Sequence, residues 1–285
     1  MTSTLSGELQ RRVEDRIRYW RVAVERSVET PSSVIVFGKR AGQPVALKVV
    51  RSPSDEWRSG ETLDHFDGRG VVRAYEYIDG AVMMEHLIPG ESLVKTALSG
   101  KDDEATEILA DVIARMSPRR PIHGMPTIQD WSMAFDSYGR SGDTQIPAKL
   151  VSHGGQVYNE LCATQSQPRL LHGDLHHYNV LSDSKRGWLA IDPKGVVGEV
   201  AYEIGAALRN PVERPSVFAE RSVIQKRLQR FGRALNLDVQ RMLAWGFAQA
   251  VLSAIWTVED EGTIEPTNPS LALAETIRPM LGSLG

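Results

Sequence analysis

Three residues with oxygen-bearing side chains lie near one another in the second half of the chain. Asp174 and Asn179 stand on the segment His172-Gly173-Asp174-Leu175-His176-His177-Tyr178-Asn179, and Asp192 ends the apolar run that starts at Trp188. Carboxylate and amide oxygens are hard ligands that magnesium prefers. A carboxylate ahead of them on the same loop can accept the proton of a hydroxyl group. We therefore predict that Asp174 is a base and that Asn179 and Asp192 are metal ligands.

Chance is the alternative explanation, because Gly, Asp and Asn are common turn residues. The order of the motif argues against it, since two short apolar strands, Val180-Leu181 and Leu189-Ala190-Ile191, separate the amide from the second carboxylate. Such an order is typical of phosphoryl-transfer sites. It is a hypothesis that the structural context has to confirm.

An apolar strand much earlier in the chain contains a lysine. Lys48 lies within Val45-Ala46-Leu47-Lys48-Val49-Val50. Burying its ammonium group is costly unless it has a partner. One interpretation is the polar face of an edge strand. We favour the other, in which the lysine contacts nucleotide phosphates and a glutamate of the next helix holds it.

Two histidines of the loop, His172 and His176, have the spacing at which a helix can present a pair of metal ligands. Gly173 and Asp174 between them indicate a loop instead, and the carboxylate of a zinc-protease helix is missing. We therefore predict that both histidines serve the catalytic loop through hydrogen bonds. His177 is expected to be exposed.

The segment from His172 to Asn179 resembles the catalytic loop of the aminoglycoside phosphotransferases. The later segment Gly187-Trp188-Leu189-Ala190-Ile191-Asp192-Pro193-Lys194-Gly195-Val196-Val197-Gly198-Glu199 is similar to the branch with the streptomycin 6-phosphotransferases and the hydroxyurea kinases. The resemblance extends from about Val34 to Trp256. It implies an α+β, bilobal, protein-kinase-like fold. It also implies ATP- and Mg²⁺-dependent phosphorylation of a small molecule, with streptomycin 6-phosphorylation as the leading assignment.

The same resemblance assigns roles around the adenine and the buried lysine. Glu56, in preference to Glu61, is expected to pair with Lys48. Backbone groups of Glu85 and Leu87 are expected to meet the adenine edge. The chain should cross between its two lobes directly after them.

One departure from protein kinases concerns the phosphate loop. The glycine-rich G-x-G-x-x-G sequence is absent, and the corresponding hairpin offers Thr30-Pro31-Ser32-Ser33. Related small-molecule kinases often use serine and backbone amides at this place. Ser32 and Ser33 are therefore candidates for phosphate contact.

Acceptor recognition is predicted from charge. The guanidinium groups of a streptomycin-like aminocyclitol need carboxylates that form paired hydrogen bonds. Acidic candidates follow the metal-binding segment or end a long apolar run: Glu199, Glu203, Glu259, Asp260 and Glu261. Acidic residues near helix ends are usually solvated, which is the alternative for each. Trp131 and Trp256 either wall the acceptor pocket or fill the core.

Hydrophobic periodicity divides the chain into a strand-rich lobe, residues 1–88, and a helical lobe, residues 89–285. The first should contain an amphipathic helix over Leu9–Trp20, five antiparallel strands and an internal helix over Pro53–Phe66. A loop is expected between Pro118 and Pro126. Helices of the second lobe are predicted over Leu93–Leu98, Asp103–Met116, Gln129–Tyr138, Ile146–Ala163, Glu199–Leu208, Pro215–Phe231, Val239–Thr257 and Leu271–Leu281.

The composition limits the class of protein. A net charge of −3 with both signs interspersed disfavours a general nucleic-acid binder. The single Cys162 excludes an internal disulfide. Because the sequence shows no signal segment and no long uncharged apolar run, we expect a cytoplasmic protein without a membrane partner. The oligomeric state stays open, and a monomer is compatible with the sequence.

Two other functions are kept. On the same fold the acceptor can be hydroxyurea or another small metabolite. From a different class comes a pseudokinase that binds ATP as a regulatory module without turnover. The presence of Lys48, Asp174, Asn179 and Asp192 together favours an active enzyme.

Overall fold

The computed structural model describes residues 7–118 and 124–282. The loop predicted between Pro118 and Pro126 falls largely on residues 119–123, which lie outside the described residues. The rest consists of a small lobe built on an antiparallel sheet and a larger, mainly helical lobe. The predicted bilobal α+β architecture is thus confirmed.

The small lobe contains a five-stranded sheet in the order β1-β2-β3-β5-β4. Its strands are β1 (Ala23–Glu29), β2 (Ser33–Arg40), β3 (Gln43–Val50), β4 (Ala74–Ile78) and β5 (Ala81–Glu85). Helix α1 (Gly7–Tyr19) covers the sheet with the apolar face that the sequence predicts. Leu9, Val13 and Trp20 are buried together with residues of β2, β3 and β5.

Strand β3 is central to this sheet, and its residues from Val45 to Val50 are all buried. Lys48 lies opposite Ile35 of β2 and Val82 of β5. The edge-strand interpretation of Lys48 is therefore wrong. Because water does not reach this position, the ammonium group needs carboxylate partners.

The segment after β3 provides those partners. It begins as a 3-10 turn over Asp55–Arg58 and continues as α2 (Ser59–Phe66). The helical prediction over Pro53–Phe66 is confirmed apart from its first residues. The 3-10 turn faces the cleft, whereas Leu63 and Phe66 of α2 are buried in the main core.

Short strands connect the lobes and frame the motif. Strand β6 (Pro89–Ser92) pairs with β8 (Val180–Asp183), which pairs with β9 (Gly187–Ala190). Strand β7 (Arg169–Leu171) pairs with β10 (Val196–Gly198). The apolar runs around Asn179 and Asp192 predict β8 and β9, whereas β6 and β10 were not predicted, because Pro89-Gly90 indicates a turn and Gly195 and Gly198 flank the two valines of β10.

The larger lobe supplies the remaining helices. They are α3 (Val94–Leu98), α4 (Asp102–Arg115), α5 (Ile128–Trp131), α6 (Met133–Ser141), α7 (Ala148–Ala163), α8 (Ile204–Leu208), α9 (Pro215–Phe218), α10 (Arg221–Leu235), α11 (Val239–Glu261) and α12 (Pro269–Ile277). Two predicted helices are each divided into two: Gln129–Tyr138 into α5 and α6, and Pro215–Phe231 into α9 and α10. The break at Ser132 is accompanied by a hydroxyl bond to the Gln129 carbonyl (2.7 Å), a local alternative to helical bonding.

Helix α11 is the core helix of the large lobe. Its length and composition would allow it to cross a membrane, with mean hydropathy 1.2, but 78% of that stretch is buried inside the protein. It contacts α7, α8 and α12. Its C-terminal end carries Trp256 and the acidic residues that follow it.

Candidate active site

The loop from His172 to Asn179 is held between β7 and β8. Its first carbonyl, that of His172, accepts hydrogen bonds from the amides of Lys194 (2.9 Å) and Gly195 (3.1 Å). The loop and the segment after β9 therefore lie side by side. This contact brings residues that are distant in the sequence into one site.

The His172 ring supports this arrangement from inside. It is fully buried, with Nε2 2.7 Å from the Ile191 carbonyl oxygen and Nδ1 3.3 Å from the amide of Asp174. Burial lowers the pKa of His172 to about 4, against the opposing effect of the Ile191 carbonyl and Asp174. The neutral ring donates from Nε2 and accepts at Nδ1, so it joins the base loop to the strand that precedes Asp192.

Glu203 holds the same loop by its backbone. Its carboxylate accepts from the amides of His172 and Gly173, the latter at 3.2 Å. The side chain is buried, and burial raises its pKa to about 7 although the two amides act in the opposite direction. These bonds occupy the carboxylate, so Glu203 is a support of the loop in this arrangement, not an exposed ligand for an acceptor.

Asp174 projects from the loop as a charged carboxylate. Arg209 approaches its Oδ1 at 3.0 Å and His176 Nε2 lies 3.7 Å from its Oδ2. Burial alone would raise the pKa of Asp174, but Lys194, His176 and Arg209 together hold it far below its usual value. The group is thus ionised at neutral pH and able to accept a hydrogen bond from a hydroxyl group.

Asn179 and Asp192 meet through the paired strands that follow and precede them. The amide of Ile191 donates to the Asn179 carbonyl (2.9 Å), and Asn179 Nδ2 donates to the Asp174 carbonyl (3.0 Å). The side-chain oxygen of Asn179 takes no part in that bond. Asp192 has φ +57°, a left-handed conformation that aspartate tolerates better than most residues.

This donor set fits magnesium. An amide oxygen and a carboxylate, both hard donors, lie on adjoining segments, and the carboxylate contacts the buried Lys48. Among residues 7–118 and 124–282, His, Cys, Asp and Glu side chains form no group of three or more that could hold a metal. The described histidines therefore give no support to the alternative metal site of the sequence.

Lys48 links this region to the small lobe. Its Nζ lies 2.8 Å from Glu56 Oε2 and 2.8 Å from Asp192 Oδ1, and only 1% of the side chain is exposed. Burial lowers the pKa of the ammonium, but Asp192 and Glu56 outweigh that effect and raise it above its usual value. Glu61 instead accepts from Arg58 Nε at 2.7 Å. One ion-paired group thus spans the two lobes.

The serines of the first hairpin have different environments. Ser33 is buried and exchanges hydrogen bonds with Thr30, whose Oγ1 lies 2.9 Å from its hydroxyl. Ser32 is exposed, and its hydroxyl donates to Glu56 Oε2 at 3.3 Å. Ser33 shapes the turn, whereas Ser32 reaches the partner of Lys48.

A cavity of about 260 Å³ opens beside Asp192. Its walls are mainly apolar and include Ile35, Phe37, Ala46, Val72, Met84, Leu87 and Ile191. Glu85 lines it too, but its carboxylate pairs with Arg186 and accepts from the Arg73 amide (2.7 Å). This mainly apolar space, which adjoins Asp192, suits a purine base.

A pair of tryptophan side chains lies near the loop that carries Asp174, since an ideal Cβ on Gly173 would be 3.1 Å from the Trp131 ring. Trp131 and Trp256 are partly buried, with ring centroids 5.4 Å apart at 85°. The ammonium of Lys194 lies 4.8 Å from the Trp256 ring centroid. Glu259 and Asp260 are exposed at the end of α11, and partial burial and Asp260 raise the pKa of Glu259.

Glu199 is paired inside the large lobe. Its Oε1 accepts from Arg241 Nε (2.6 Å) and from the indole of Trp245, and only 5% of its side chain is exposed. The carboxylate is used inside the large lobe, where it joins α11 to the segment after β10. Like Glu203, it is not available to an acceptor in this arrangement.

His177 differs from its prediction. The residue is buried, because the 3-10 turn His177–Asn179 directs its ring into the large lobe, and burial keeps its pKa well below the usual value. The prediction of an exposed His177 was wrong.

Two cations close to Asp174, Lys194 and Arg209, were not predicted. Lys194 lies inside the quoted motif, whereas Arg209 gave no signal in the sequence beyond a charge after a short helix.

Comparison with known proteins agrees with this geometry. The family described as aminoglycoside/hydroxyurea antibiotic resistance kinase matches residues 20–261. The chain is 33% identical to a streptomycin 3''-kinase of Klebsiella pneumoniae over 85% of this chain and 90% of that one. It is 29% identical to a hydroxyurea phosphotransferase of Kitasatospora aureofaciens, over 93% and 84%. A streptomycin 6-kinase of Streptomyces glaucescens is 26% identical, over 92% and 87%.

Solved structures with the same fold include a choline kinase from Streptococcus pneumoniae, with TM-score 0.66, 14% identity, and coverage of 95% of this chain and 98% of that one. An aminoglycoside phosphotransferase in complex with ADP and hygromycin B gives TM-score 0.66 and 14% identity, over 95% and 99%. These two show the kinase-like fold. The chain belongs to the aminoglycoside/hydroxyurea antibiotic resistance kinase family and is a phosphotransferase that acts on a hydroxyl group.

Proposed function

We propose that this protein transfers the γ-phosphate of ATP to a hydroxyl group of streptomycin, with magnesium as the cofactor. The observation that carries the proposal is the ion-paired group Glu56–Lys48–Asp192, which links the two lobes. The relatives named for streptomycin and hydroxyurea support the acceptor class. The need for ATP also favours a cytoplasmic location.

The nucleotide side of the site has a defined division of roles. The apolar cavity takes adenine, with Glu85 and Leu87 at its edge, and Ser32 lies near the phosphates. Lys48 neutralises the phosphates from the small lobe. Asn179 and Asp192 would hold magnesium, which would supply positive charge to stabilise the phosphates.

On the acceptor side, Asp174 orients the hydroxyl group and takes its proton. The low pKa of Asp174 keeps it ionised, so it acts as a hydrogen-bond acceptor first and receives the proton late. His172, His176 and Glu203 hold the carboxylate and its loop in place. Phosphoryl transfer asks for little covalent chemistry from the protein, so positioning and charge stabilisation supply most of the rate.

A cationic acceptor is favoured by Trp256 and the acidic end of α11. Trp256 already has a cation over its ring, in the form of Lys194, and Glu259 and Asp260 are exposed nearby in the sequence. Guanidinium groups stack on such rings and pair with carboxylates. The hydroxyl that is modified stays a prediction, position 6 by resemblance, because the relatives include both 3''- and 6-kinases.

The test is magnesium-dependent ADP release from ATP, with streptomycin, an aminoglycoside without guanidinium groups, and hydroxyurea as separate acceptors. Streptomycin-dependent turnover that Asp174→Asn loses is the expected result. NMR of the phosphorylated product then distinguishes the 3'' from the 6 position. Turnover with hydroxyurea alone would transfer the assignment to that acceptor, and ATP binding without turnover on any acceptor would indicate a pseudokinase.

A further inference from the structure

Two adjacent carboxylates in the small lobe each hold a lysine of the cleft. Glu56 pairs with Lys48 at 2.8 Å, and Asp55 Oδ2 lies 3.5 Å from the ammonium of Lys194. The two lysines thus meet neighbouring positions on one 3-10 turn. Lys48 comes from the small lobe and Lys194 from the segment that follows Asp192. They flank the same stretch of the cleft.

Lys194 lies between the base and the acceptor side. An ideal Cβ on Gly173 would lie 3.6 Å from the Lys194 Cβ, so the start of the side chain passes over the residue before Asp174. Its ammonium continues to the Trp256 ring at 4.8 Å. About 21% of the side chain is exposed, so the group is accessible from the cleft.

The phosphoryl group carries negative charge while it is transferred, so a cation near Asp174 would stabilise it. The loop between Asp174 and Asn179 contains neither lysine nor arginine. Arg209 is already paired with Asp174 Oδ1 at 3.0 Å. Lys48 is enclosed on the nucleotide side with two carboxylates. Of these three cations, Lys194 is the one whose carboxylate partner faces solvent, since 53% of the Asp55 side chain is exposed.

We propose that Lys194 is a catalytic residue that leaves Asp55 and binds the γ-phosphate oxygens during transfer to the acceptor. In that step the bond between phosphorus and the β–γ bridging oxygen breaks, and ADP leaves with the electron pair. The acceptor oxygen forms the new bond to phosphorus, and its proton passes to the Asp174 carboxylate. Lys194 neutralises the charge on the moving phosphoryl group. The assignment rests on the phosphotransferase role of the site proposed above.

The inference leads to a test by nucleotide binding, which needs no acceptor. With Mg²⁺ present, calorimetry gives the affinities for ADP and for a non-hydrolysable ATP analogue. Lys194→Met should reduce the preference for the analogue by roughly 10- to 100-fold, the range for a charge-assisted hydrogen bond, with ADP affinity unchanged. Lys194→Arg should restore most of that preference. Lys226→Met, an exposed lysine of α10, is the matched control and should behave as the wild type.

A merely structural role predicts a different pattern. If Lys194 only ties the lobes together, Asp55→Asn should impair analogue binding as much as Lys194→Met. If Lys194 moves to the phosphate, Asp55→Asn frees it and should strengthen analogue binding, by less than about tenfold. Equal losses in both variants, or an unchanged preference in Lys194→Met with an intact melting curve, would overturn the proposal.

Turnover provides the second readout. In Lys194→Met, kcat at saturating ATP and streptomycin should fall about 100-fold, whereas the affinity for the cationic acceptor should not weaken, because a like charge has been removed. A rise in acceptor KM with an unchanged kcat would contradict a role on the phosphoryl group. If the wild type turns over no acceptor, the proposed function fails, but the nucleotide-binding experiment still decides the role of Lys194.

Discussion

The two sides of the cleft are built in different ways. On the nucleotide side, a fully buried lysine lies between two carboxylates from different lobes, and an apolar cavity adjoins them. On the side proposed for the acceptor, Trp131 and Trp256 are only partly buried, and Glu259 and Asp260 are exposed at a helix end. Under the proposed function, the groups that hold the phosphate donor are therefore preorganised in the interior, whereas the side chains expected to contact the acceptor are partly or fully exposed.

Asp174 lies between the two sides, and its replacement should have the largest effect on the rate of phosphoryl transfer. Asp174→Asn keeps the shape but cannot accept the proton, so the single-turnover rate should fall by about 10² to 10⁴. The affinity for ATP, measured by calorimetry, should stay within about threefold, because the base does not hold the nucleotide. A loss of rate below tenfold would show that Asp174 is not the base.

The nucleotide side can be tested through the partner of Lys48. Glu56→Gln leaves the buried ammonium with Asp192 as its remaining carboxylate, and ATP affinity should fall by roughly 10- to 100-fold. Glu61→Gln is the matched control, since Glu61 pairs with the partly exposed Arg58 and should change affinity less than about threefold. Similar effects in both variants would remove the distinction between the two glutamates.

The role of Glu203 as a support of the Asp174 loop can be tested through the pH dependence of stability. Burial raises the pKa of Glu203 to about 7 from an ordinary value of 4.5, so the folded protein retains a proton that the unfolded chain has released. Stability should therefore decrease as the pH rises from about 5 to 8. Glu203→Gln cannot ionise, and its melting temperature relative to wild type should rise by about 2–8 °C over this range.

The control for this prediction is Glu275→Gln, an exposed residue of α12 that pairs with Arg278. Its melting temperature should run parallel to that of the wild type across the same pH range. A constant difference between Glu203→Gln and the wild type would mean that Glu203 stays ionised in the folded protein.

The acceptor side should give the smallest changes. Trp256→Ala removes a ring that receives a cation at 4.8 Å, and the KM for streptomycin should rise by about 3- to 30-fold with the KM for ATP unchanged. Glu259→Gln, at an exposed position, should change it by less than about threefold. An acceptor KM that responds to Glu259 but not to Trp256 would reverse the order of importance on this surface.

Much of the fold and of the nucleotide side could be predicted from local patterns. The apolar run of β3 and the apolar runs around Asn179 and Asp192 predict strands, and strand ends place the polar groups. The roles assigned to Asp174, Asn179 and Asp192 stay predictions, but the structure does bring these three together. The acceptor side resisted prediction because an acidic residue has the same appearance in the sequence whether it is exposed, as Glu259 is, or buried, as Glu199 is.

Periodicity and neighbours along the chain were enough to predict a strand-rich and a helical lobe, the order of the motif and a lysine inside an apolar strand. Only the tertiary structure decided the partners of the charges. Glu203 lies under His172 and Arg209 beside Asp174 because helix packing in the large lobe sets those distances. Lys194 reaches both Asp55 and Trp256 because the small lobe and helix α11 of the large lobe come together there. Long-range contacts of this kind leave no periodic trace in the sequence.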